Sequence, residues 1–226
     1  MAEYIMALLS DVNTFVPQSY ESGSEFFTKV EVSNVSLPLP VEIKNDIVGI
    51  VNAISKNIGV NKFLFEGAPG TGKTETVKHI ARILNRELYQ AEFDTIIDSK
   101  LGQTSKNINA IFDEINHLPH PEKIIILFDE IDALALDRLN NNDLREMGRA
   151  TSTLLKELDK LNEKIVFIAT TNLYKSFDKA IIRRFDKIIN FNRYSQEDLL
   201  EIAVSILSEY ICLLYTSDAA DDTPCV

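Results

Sequence analysis

A glycine-rich segment of eight residues constrains this chain more than any other feature of its sequence. Residues 67–74 fit the pattern G-x-x-x-x-G-K-[ST], with an apolar run before them at 63–65 and a helical apolar pattern within 73–85. In this strand–loop–helix context the pattern is typical of a loop whose backbone N–H groups surround phosphate oxygens. The predicted phosphate-binding residues are Gly67, Ala68, Pro69, Gly70, Thr71, Gly72, Lys73 and Thr74.

The residue types of this loop suit a nucleoside triphosphate with Mg²⁺, and we predict ATP and Mg²⁺ as its ligands. Glycines allow conformations that other residues avoid, and the following helix N-terminus adds partial positive charge. Lys73 supplies a mobile charge for the β- and γ-phosphates, and the Thr74 hydroxyl is a predicted Mg²⁺ ligand. The full pattern in its context disfavours the alternative of a glycine-rich turn that binds nothing.

A second motif is acidic and follows the continuous apolar run 124–128. Such a run indicates a strand buried on both faces, and ligands bind beyond the carboxyl ends of parallel strands. Asp129 is predicted to hold Mg²⁺ through its water shell, and Glu130 to act as general base toward water. We expect this strand to neighbour the one before the phosphate loop, which lies about 55 residues upstream. The alternative is that these acids only solvate a strand end, and Asp132 could cap a helix.

Alternating strand and helix patterns predict the fold class. They favour an α/β fold of the P-loop NTPase type, a three-layer αβα sandwich with a five-stranded parallel sheet and the start of a small helical lid. The predicted strands are 63–65, 88–93, 124–128, 165–170 and 187–191, and the predicted helices are 41–57, 73–85, 106–115, 143–161 and 196–210. We divide the chain into an N-terminal segment of unknown role (1–36), an ATPase core (37–192), the lid start (193–211) and a non-native tail (212–226).

The tail has an unusual sequence. Residues 212–222, CLLYTSDAADD, resemble an in-frame translation of a transposase adapter used in preparing sequencing libraries. Both cysteines, Cys212 and Cys225, lie in or beside it, so the rest of the chain has none, which fits a reducing compartment. We therefore expect the native protein to continue past about residue 210.

Charge and hydropathy narrow the classes of function. The formal net charge of −11 disfavours a chain that wraps nucleic acid. The longest apolar runs are strand-sized, far shorter than a membrane span, and residues 1–16 lack the basic region of a signal peptide. We expect a cytoplasmic protein whose partners include neither membrane nor nucleic acid.

Two later motifs point to a family. Residues 167–172, FIATTN, end a predicted strand, and residues 178–186, DKAIIRRFD, follow it. With the phosphate loop and the acidic strand end, in this order and spacing, they resemble AAA+ ATPases, in the protein-remodelling branch that includes katanin and spastin. The resemblance covers about residues 41–210.

The resemblance implies roles for three residues and an assembly. Asn172 is implied to be the sensor-1 residue, which positions the water beside the γ-phosphate, and Arg183 and Arg184 to be arginine fingers at the subunit edge. A guanidinium stays charged and can grip phosphate oxygens of a neighbour's nucleotide. The implied assembly is a homo-oligomeric ring, expected to be a hexamer, that hydrolyses ATP to remodel or move a macromolecule, expected to be a protein. The alternative for the arginine pair is a solvated helix end.

The chain departs from the family pattern at two places. Where relatives carry an aromatic–hydrophobic–glycine pore loop, it has Lys100, Leu101 and Gly102. Lysine offers a methylene stem and a charge in place of a ring, which leaves polypeptide threading, an acidic or nucleic-acid substrate, or an ordinary surface loop open. In the lid, helix 196–210 shows no residue that can be named as sensor-2.

Two other function classes compete with a ring ATPase. An ATP-gated scaffold would have no need of the hydrolytic set Glu130, Asn172 and Arg183. A DNA-directed loader or helicase is disfavoured by the acidic charge and by the lack of a basic DNA-binding motif.

Overall fold

Strands and helices alternate along the part of the chain that the computed structural model describes, residues 26–32, 39–91, 96–97, 102–132, 144–176 and 178–218. The strands are β1 (Phe27–Val30), β2 (Lys62–Glu66), β3 (Glu87–Ala91), β4 (Ile124–Phe128), β5 (Val166–Thr171) and β6 (Lys187–Asn190). The helices are α1 (Val41–Ser55), α2 (Lys73–Leu84), α3 (Gln103–Asn116), α4 (Leu144–Lys160), α5 (Lys179–Ile182) and α6 (Gln196–Asp218). Two 3₁₀ turns span Pro121–Lys123 and Tyr174–Ser176.

The strands form one six-stranded sheet in the order β1-β3-β4-β5-β2-β6. Strands β2 to β6 run parallel, whereas β1 pairs antiparallel with β3, with Phe27 opposite Ala91. The predicted α/β class is confirmed, but its five strands are corrected to six. The extra strand lies in the segment 1–36, which carried no assigned element, because a four-residue edge strand with exposed Thr28 and Lys29 has too short an apolar pattern.

The strand order also corrects the expected neighbourhood of the two nucleotide motifs. Strand β5 lies between β2 and β4, with Leu64 opposite Ala169 on one side and Leu127 opposite Ile168 on the other. The expectation that the phosphate loop and the acidic strand end follow adjacent strands is therefore wrong. Crossover connections can skip a strand, and distance along the chain does not report which strand is inserted. As a result, the polar end of β5 lies between both motifs.

Helices cover both faces of the sheet, so the predicted three-layer arrangement is observed. On one face α1 and α2 pack against β2, β4, β5 and β6, and the buried side chains include Ile43, Ile47, Phe63, Phe65, Val77, Ile80, Ile125, Leu127, Ile168 and Ile189. On the other face α3 and α4 pack against a second cluster that includes Ile111, Phe112, Ile126, Phe128, Leu154, Leu158 and Phe167. The rings of Phe112, Phe128 and Phe167 lie with centroids 4.8–6.0 Å apart, a spacing at which aromatic pairs add stability beyond burial.

Local signals explain the helix bounds. α3 begins at Gln103, three residues before the predicted start of 106, because Gly102 takes the left-handed conformation (φ +77°) that begins the helix. α6 runs to Asp218, so the predicted boundary between lid and tail at 211/212 falls inside a helix. Residues 1–25, Lys100, Leu101 and 219–226 lie outside the described residues. No described helix is both long and apolar enough to cross a membrane.

Candidate functional site

Two glycines determine the path of the phosphate loop between β2 and α2. A Cβ atom on Gly67 would lie 2.8 Å from the Cβ of Phe191, closer than side chains approach one another, so this position requires glycine. Gly72 begins α2 with φ +82°, a left-handed conformation that glycine adopts without steric cost. The loop therefore turns tightly enough to aim its following residues, Lys73 and Thr74, over the carboxyl end of the sheet.

Residues just after β6 hold the phosphate loop from outside. The Asn192 side-chain oxygen accepts a hydrogen bond from the Ala68 N–H at 2.9 Å. The Tyr194 hydroxyl donates to the Thr71 carbonyl at 2.7 Å. Both contacts join positions more than 120 residues apart in sequence. The loop shape thus depends on the segment that leads directly into α6, which we call the loop latch (Asn192–Tyr194).

Lys73 is the most buried cation of this region. Its side chain is only 6% exposed, and its ammonium donates to the carbonyls of Gly67 at 2.8 Å and Ala68 at 2.9 Å. The third donor bonds the side-chain oxygen of Asn172 at 2.8 Å. All three ammonium protons are therefore used within the loop and at the end of β5, where a phosphate group would provide alternative acceptors.

The electrostatic surroundings of Lys73 combine burial with carboxylates. Burial lowers the pKa of Lys73, and the charges of Asp129, Glu130 and Asp132 oppose that shift. Asp132 is itself 4% exposed, and burial raises its pKa, which backbone N–H groups of Asp132 and Asn172 partly offset. One carboxyl oxygen of Asp132 has no hydrogen-bond partner among the described residues. The buried ammonium of Lys73 therefore lies close to three carboxyl groups at the carboxyl end of the parallel strands.

Thr74 and Asp129 form an oxygen pair suited to Mg²⁺. The Thr74 hydroxyl lies 3.0 Å and 3.1 Å from the two carboxylate oxygens of Asp129. No group of three or more His, Cys, Asp or Glu able to hold a metal occurs among the residues that the structure describes. Mg²⁺ is usually held by one or two protein oxygens together with phosphates and water, not by a protein cage. The pair therefore fits the ion that the sequence predicts.

Asn172 connects the cation of the loop to the candidate base. Its side-chain oxygen accepts from Lys73, and its amide donates to the Glu130 carboxylate at 3.1 Å. The backbone of Glu130 is left-handed, with φ +53°, which is uncommon for a residue with a side chain. The structure thus brings the predicted residues Lys73, Glu130 and Asn172 together in one hydrogen-bonded series.

Arg183 and Arg184 lie near the amino-terminal end of the parallel strands, opposite the end that carries the phosphate loop. The nearby Asp186 N–H donates to the carbonyl of Lys62, at the start of β2, whereas the phosphate loop follows the end of that strand. Five strand residues separate these points by about 16 Å. The structure therefore does not bring the two predicted arginines to the phosphate loop of their own chain.

The two arginines differ in their contacts. Arg184 pairs with Asp159 of α4 through two nitrogens at 3.2 Å and 3.3 Å, and it also donates to the Ala180 carbonyl. Arg183, one residue earlier, ends α5 and is exposed, and its side chain bonds no described residue. Arg183 is accordingly the more available of the two for a second molecule.

A family model agrees with this geometry. The model described as "ATPase family associated with various cellular activities (AAA)" matches residues 63–193, which is more than half of the chain and includes the phosphate loop, the acidic strand end, Asn172 and the arginine pair. The chain belongs to the AAA family of ATPases.

Individual relatives of this AAA domain are consistent with the family match. An uncharacterized AAA family ATPase of Sinorhizobium fredii is 38% identical over 133 residues, 59% of this chain and 39% of the relative. A putative 26S proteasome regulatory subunit homolog of Methanothermobacter thermautotrophicus is 33% identical over 137 residues, 60% of this chain and 36% of the relative. The chain thus spans less than two-fifths of the length of these two relatives.

A solved structure shares the fold of this AAA domain. One chain of the HORMA:CdnC:Trip13 complex of E. coli MS115-1 superposes with a TM-score of 0.60 at 22% identity, covering 74% of this chain and 67% of that chain. At this identity the likeness concerns the fold alone.

Three residues that shape the site of this AAA domain were not predicted from the sequence. Thr170 bonds Asp129, and Asn192 and Tyr194 bond the phosphate loop. Thr170 reads as an ordinary β-branched strand residue, and the loop latch reads as a polar connection. A weak signal was present, since Thr170 directly precedes the strand end from which Asn172 projects, and polar residues at such ends line ligand sites.

Proposed function

We propose that the protein hydrolyses ATP with Mg²⁺ as a subunit of a homo-oligomeric ring and uses the energy to remodel or move a protein. One observation carries this proposal. Lys73, Asn172 and Glu130 form a continuous hydrogen-bonded series beside the Thr74–Asp129 pair at the carboxyl end of the sheet. A cation for phosphates, a metal-binding oxygen pair and a candidate base are therefore adjacent, which is the set that phosphoryl transfer to water requires.

The residues divide the work of the reaction. Lys73 exchanges its carbonyl acceptors for phosphate oxygens when ATP enters, and the amides of residues 70–74 complete the contact. Thr74 and Asp129 would hold Mg²⁺, which neutralises charge on the phosphates. Glu130 takes a proton from water while the water oxygen forms a bond to the γ-phosphorus. The bond between the γ-phosphorus and the bridging oxygen breaks, and ADP leaves with its electrons.

A ring supports this chemistry by supplying an arginine from a neighbour. Arg183 is exposed, and the adjoining Asp186 bonds Lys62 at the start of β2, about 16 Å of strand length before the phosphate loop of the same chain. We propose that it contacts the nucleotide of the next subunit, in a hexamer, and that Asp159 anchors Arg184 beside it. The finger role of Arg184 itself stays a prediction.

The choice of a protein as substrate is supported by relatives. The archaeal relative carries the name of a proteasome regulatory subunit homolog, and the structural neighbour is part of a complex with other proteins. The net charge of −11 disfavours nucleic acid. The branch of katanin and spastin, the cytoplasmic location and the four segments of the chain stay predictions.

Substitution of the candidate base tests the proposal. In full-length protein, Glu130→Gln removes the proton acceptor, so we expect turnover to fall about 10²- to 10⁴-fold while ATP remains bound. Phosphate release gives the rate, and calorimetry with Mg·ATP gives binding.

The control for this substitution is Glu122→Gln, at the other end of β4, which removes a glutamate remote from the loop. It should hydrolyse ATP like the unmodified protein. Unchanged turnover in Glu130→Gln would contradict the assignment of the base, and an unmodified protein without turnover would contradict the proposed function.

A further inference from the structure

We propose that Thr170 is a positioning residue of the hydrolytic site, whose single buried hydroxyl sets the orientation of both Asp129 and Glu130. This inference rests on the proposed ATPase function. The Thr170 side chain makes no hydrogen bond to the phosphate loop or to the candidate arginine among the described residues, and it lies at the end of β5, between the strands that carry the two nucleotide motifs.

The direction of both hydrogen bonds follows from chemistry. The Thr170 hydroxyl lies 2.6 Å from a carboxylate oxygen of Asp129 and 2.8 Å from the backbone nitrogen of Glu130. A backbone N–H can only donate, so the hydroxyl accepts from Glu130 and directs its own proton to Asp129. Thr170 is fully buried, so its hydroxyl is shielded from bulk solvent. One hydroxyl therefore joins the two acids.

Thr170 also supports the strained backbone of the candidate base. Glu130 has φ +53°, a conformation that crowds its Cβ against the following carbonyl. Its N–H bonds the Thr170 hydroxyl, and the next N–H, of Ile131, bonds the Thr170 carbonyl at 3.0 Å. Two successive amides after Asp129 are thus held by one residue, and this turn aims the Glu130 side chain toward Asn172.

Asp129 is hydrogen-bonded by two threonine hydroxyls, those of Thr74 and Thr170, and the two differ in what happens when ligand binds. The same carboxylate oxygen of Asp129 lies near both hydroxyls, at 3.0 Å from Thr74 and 2.6 Å from Thr170. Thr74 is a candidate metal ligand and changes its contacts when Mg·ATP binds, whereas Thr170 remains in the strand. Thr170 therefore holds the carboxylate in place independently of the ligand, as outer-shell partners of metal ligands do.

An ordinary structural threonine is the competing interpretation, and Thr171 provides its example. Thr171 follows on the same strand and is equally buried, but its hydroxyl accepts the Leu173 N–H at 3.1 Å. A purely structural role predicts that loss of either hydroxyl lowers stability without changing how the site uses Mg²⁺. The positioning role predicts a change in Mg²⁺ dependence for Thr170 alone.

The experiment compares Thr170→Val, which keeps the shape and removes the hydroxyl, with Thr170→Ser, which keeps the hydroxyl, in full-length protein. We expect Thr170→Val to lower kcat about 10- to 100-fold, in the range for outer-shell partners, with KM for ATP little changed. We also expect it to need more Mg²⁺ for half-maximal activity. Thr170→Ser should restore both values.

A second readout does not depend on turnover. The thermal stabilisation by ADP is measured while Mg²⁺ is titrated, and the midpoint of that titration should rise in Thr170→Val and stay unchanged in Thr171→Val. If Thr170→Val does not fold, Thr170→Ala replaces it in both measurements. A folded variant with the unmodified Mg²⁺ midpoint, or failure of Thr170→Ser to restore it, would overturn the proposal. An unmodified protein without ATP turnover would overturn the proposed function instead, and the ADP titration would still test Thr170.

Discussion

The phosphate loop and the arginine pair differ in how much of their surroundings this chain supplies. The loop (residues 67–74) is contacted by Asn172, which directly follows β5, and by the loop latch, and its lysine is 6% exposed. Arg183, near the amino-terminal end of the strands, is exposed. Of the two arginines, only Arg184 has an acidic partner among the described residues, namely Asp159. The phosphate loop is therefore organised within a single subunit, whereas the arginine pair presents the exposed cation of Arg183 to solvent or to another molecule.

This difference separates what one subunit can do from what needs a second. A loop that is already hydrogen-bonded in its shape, with its lysine buried, is ready to bind nucleotide without rearranging its scaffold, so binding is expected of the monomer. Arg183 lies near the start of β2, about 16 Å of strand length before the loop, so it is not positioned for its own nucleotide and rapid hydrolysis is expected to require assembly.

The largest effect is expected inside the loop. Lys73→Ala removes the cation and three hydrogen-bond donors, and ATP binding measured by calorimetry should be lost together with turnover. The matched control is Lys62→Ala, at the start of β2, whose ammonium bonds Asn61. Thermal unfolding confirms that each variant is folded, and a folded Lys73→Ala protein that still binds Mg·ATP would refute the site.

The second-largest effect on turnover is expected at the exposed Arg183. Arg183→Ala should lower turnover about 10³- to 10⁵-fold, the range for arginine fingers, while ATP binding is retained. Lys179→Ala, which removes an exposed cation from α5, the helix that Arg183 follows, should leave turnover unchanged. Phosphate release is measured over a range of subunit concentrations, because a trans-acting residue matters only in the assembled state.

Mixing two inactive variants sharpens this test. Arg183→Ala subunits keep Glu130, and Glu130→Gln subunits keep Arg183, so a ring containing both has complete sites where they alternate. Recovery of turnover on mixing is expected. Absence of recovery in rings that demonstrably contain both variants would show that Arg183 does not act across the interface.

The smallest effect is expected at the loop latch. Tyr194→Phe removes the hydrogen bond to the Thr71 carbonyl, which is worth about 0.5–1.5 kcal/mol, so we expect ATP binding to weaken roughly 2- to 13-fold through loss of the loop shape. Tyr89→Phe is the control, because its hydroxyl bonds Glu87 on β3, away from the loop. Calorimetric titration measures both. Equal affinity in Tyr194→Phe and Tyr89→Phe would show that the loop keeps its shape without the latch.

Sequence reasoning was most successful where the interactions are local. The predicted strand at residues 124–128 agrees with β4 in every residue, and α2 begins at Lys73 as predicted, since apolar runs and a glycine-rich turn act over a few residues. It failed for β1, whose pairing with β3 joins residues about 60 positions apart and leaves almost no local pattern. It also misplaced β4 beside β2.

The chemistry of the site was determined by the sequence itself. A loop of glycines followed by Lys73 and Thr74, and acids after an apolar strand, indicate phosphate and Mg²⁺ because these residue types have few other uses in that order. Only the tertiary structure decided which side chains support them. Thr170 reaches Asp129 across 41 positions and Asn192 reaches Ala68 across 124, because strand order and the path after β6 depend on the packing of the whole sheet.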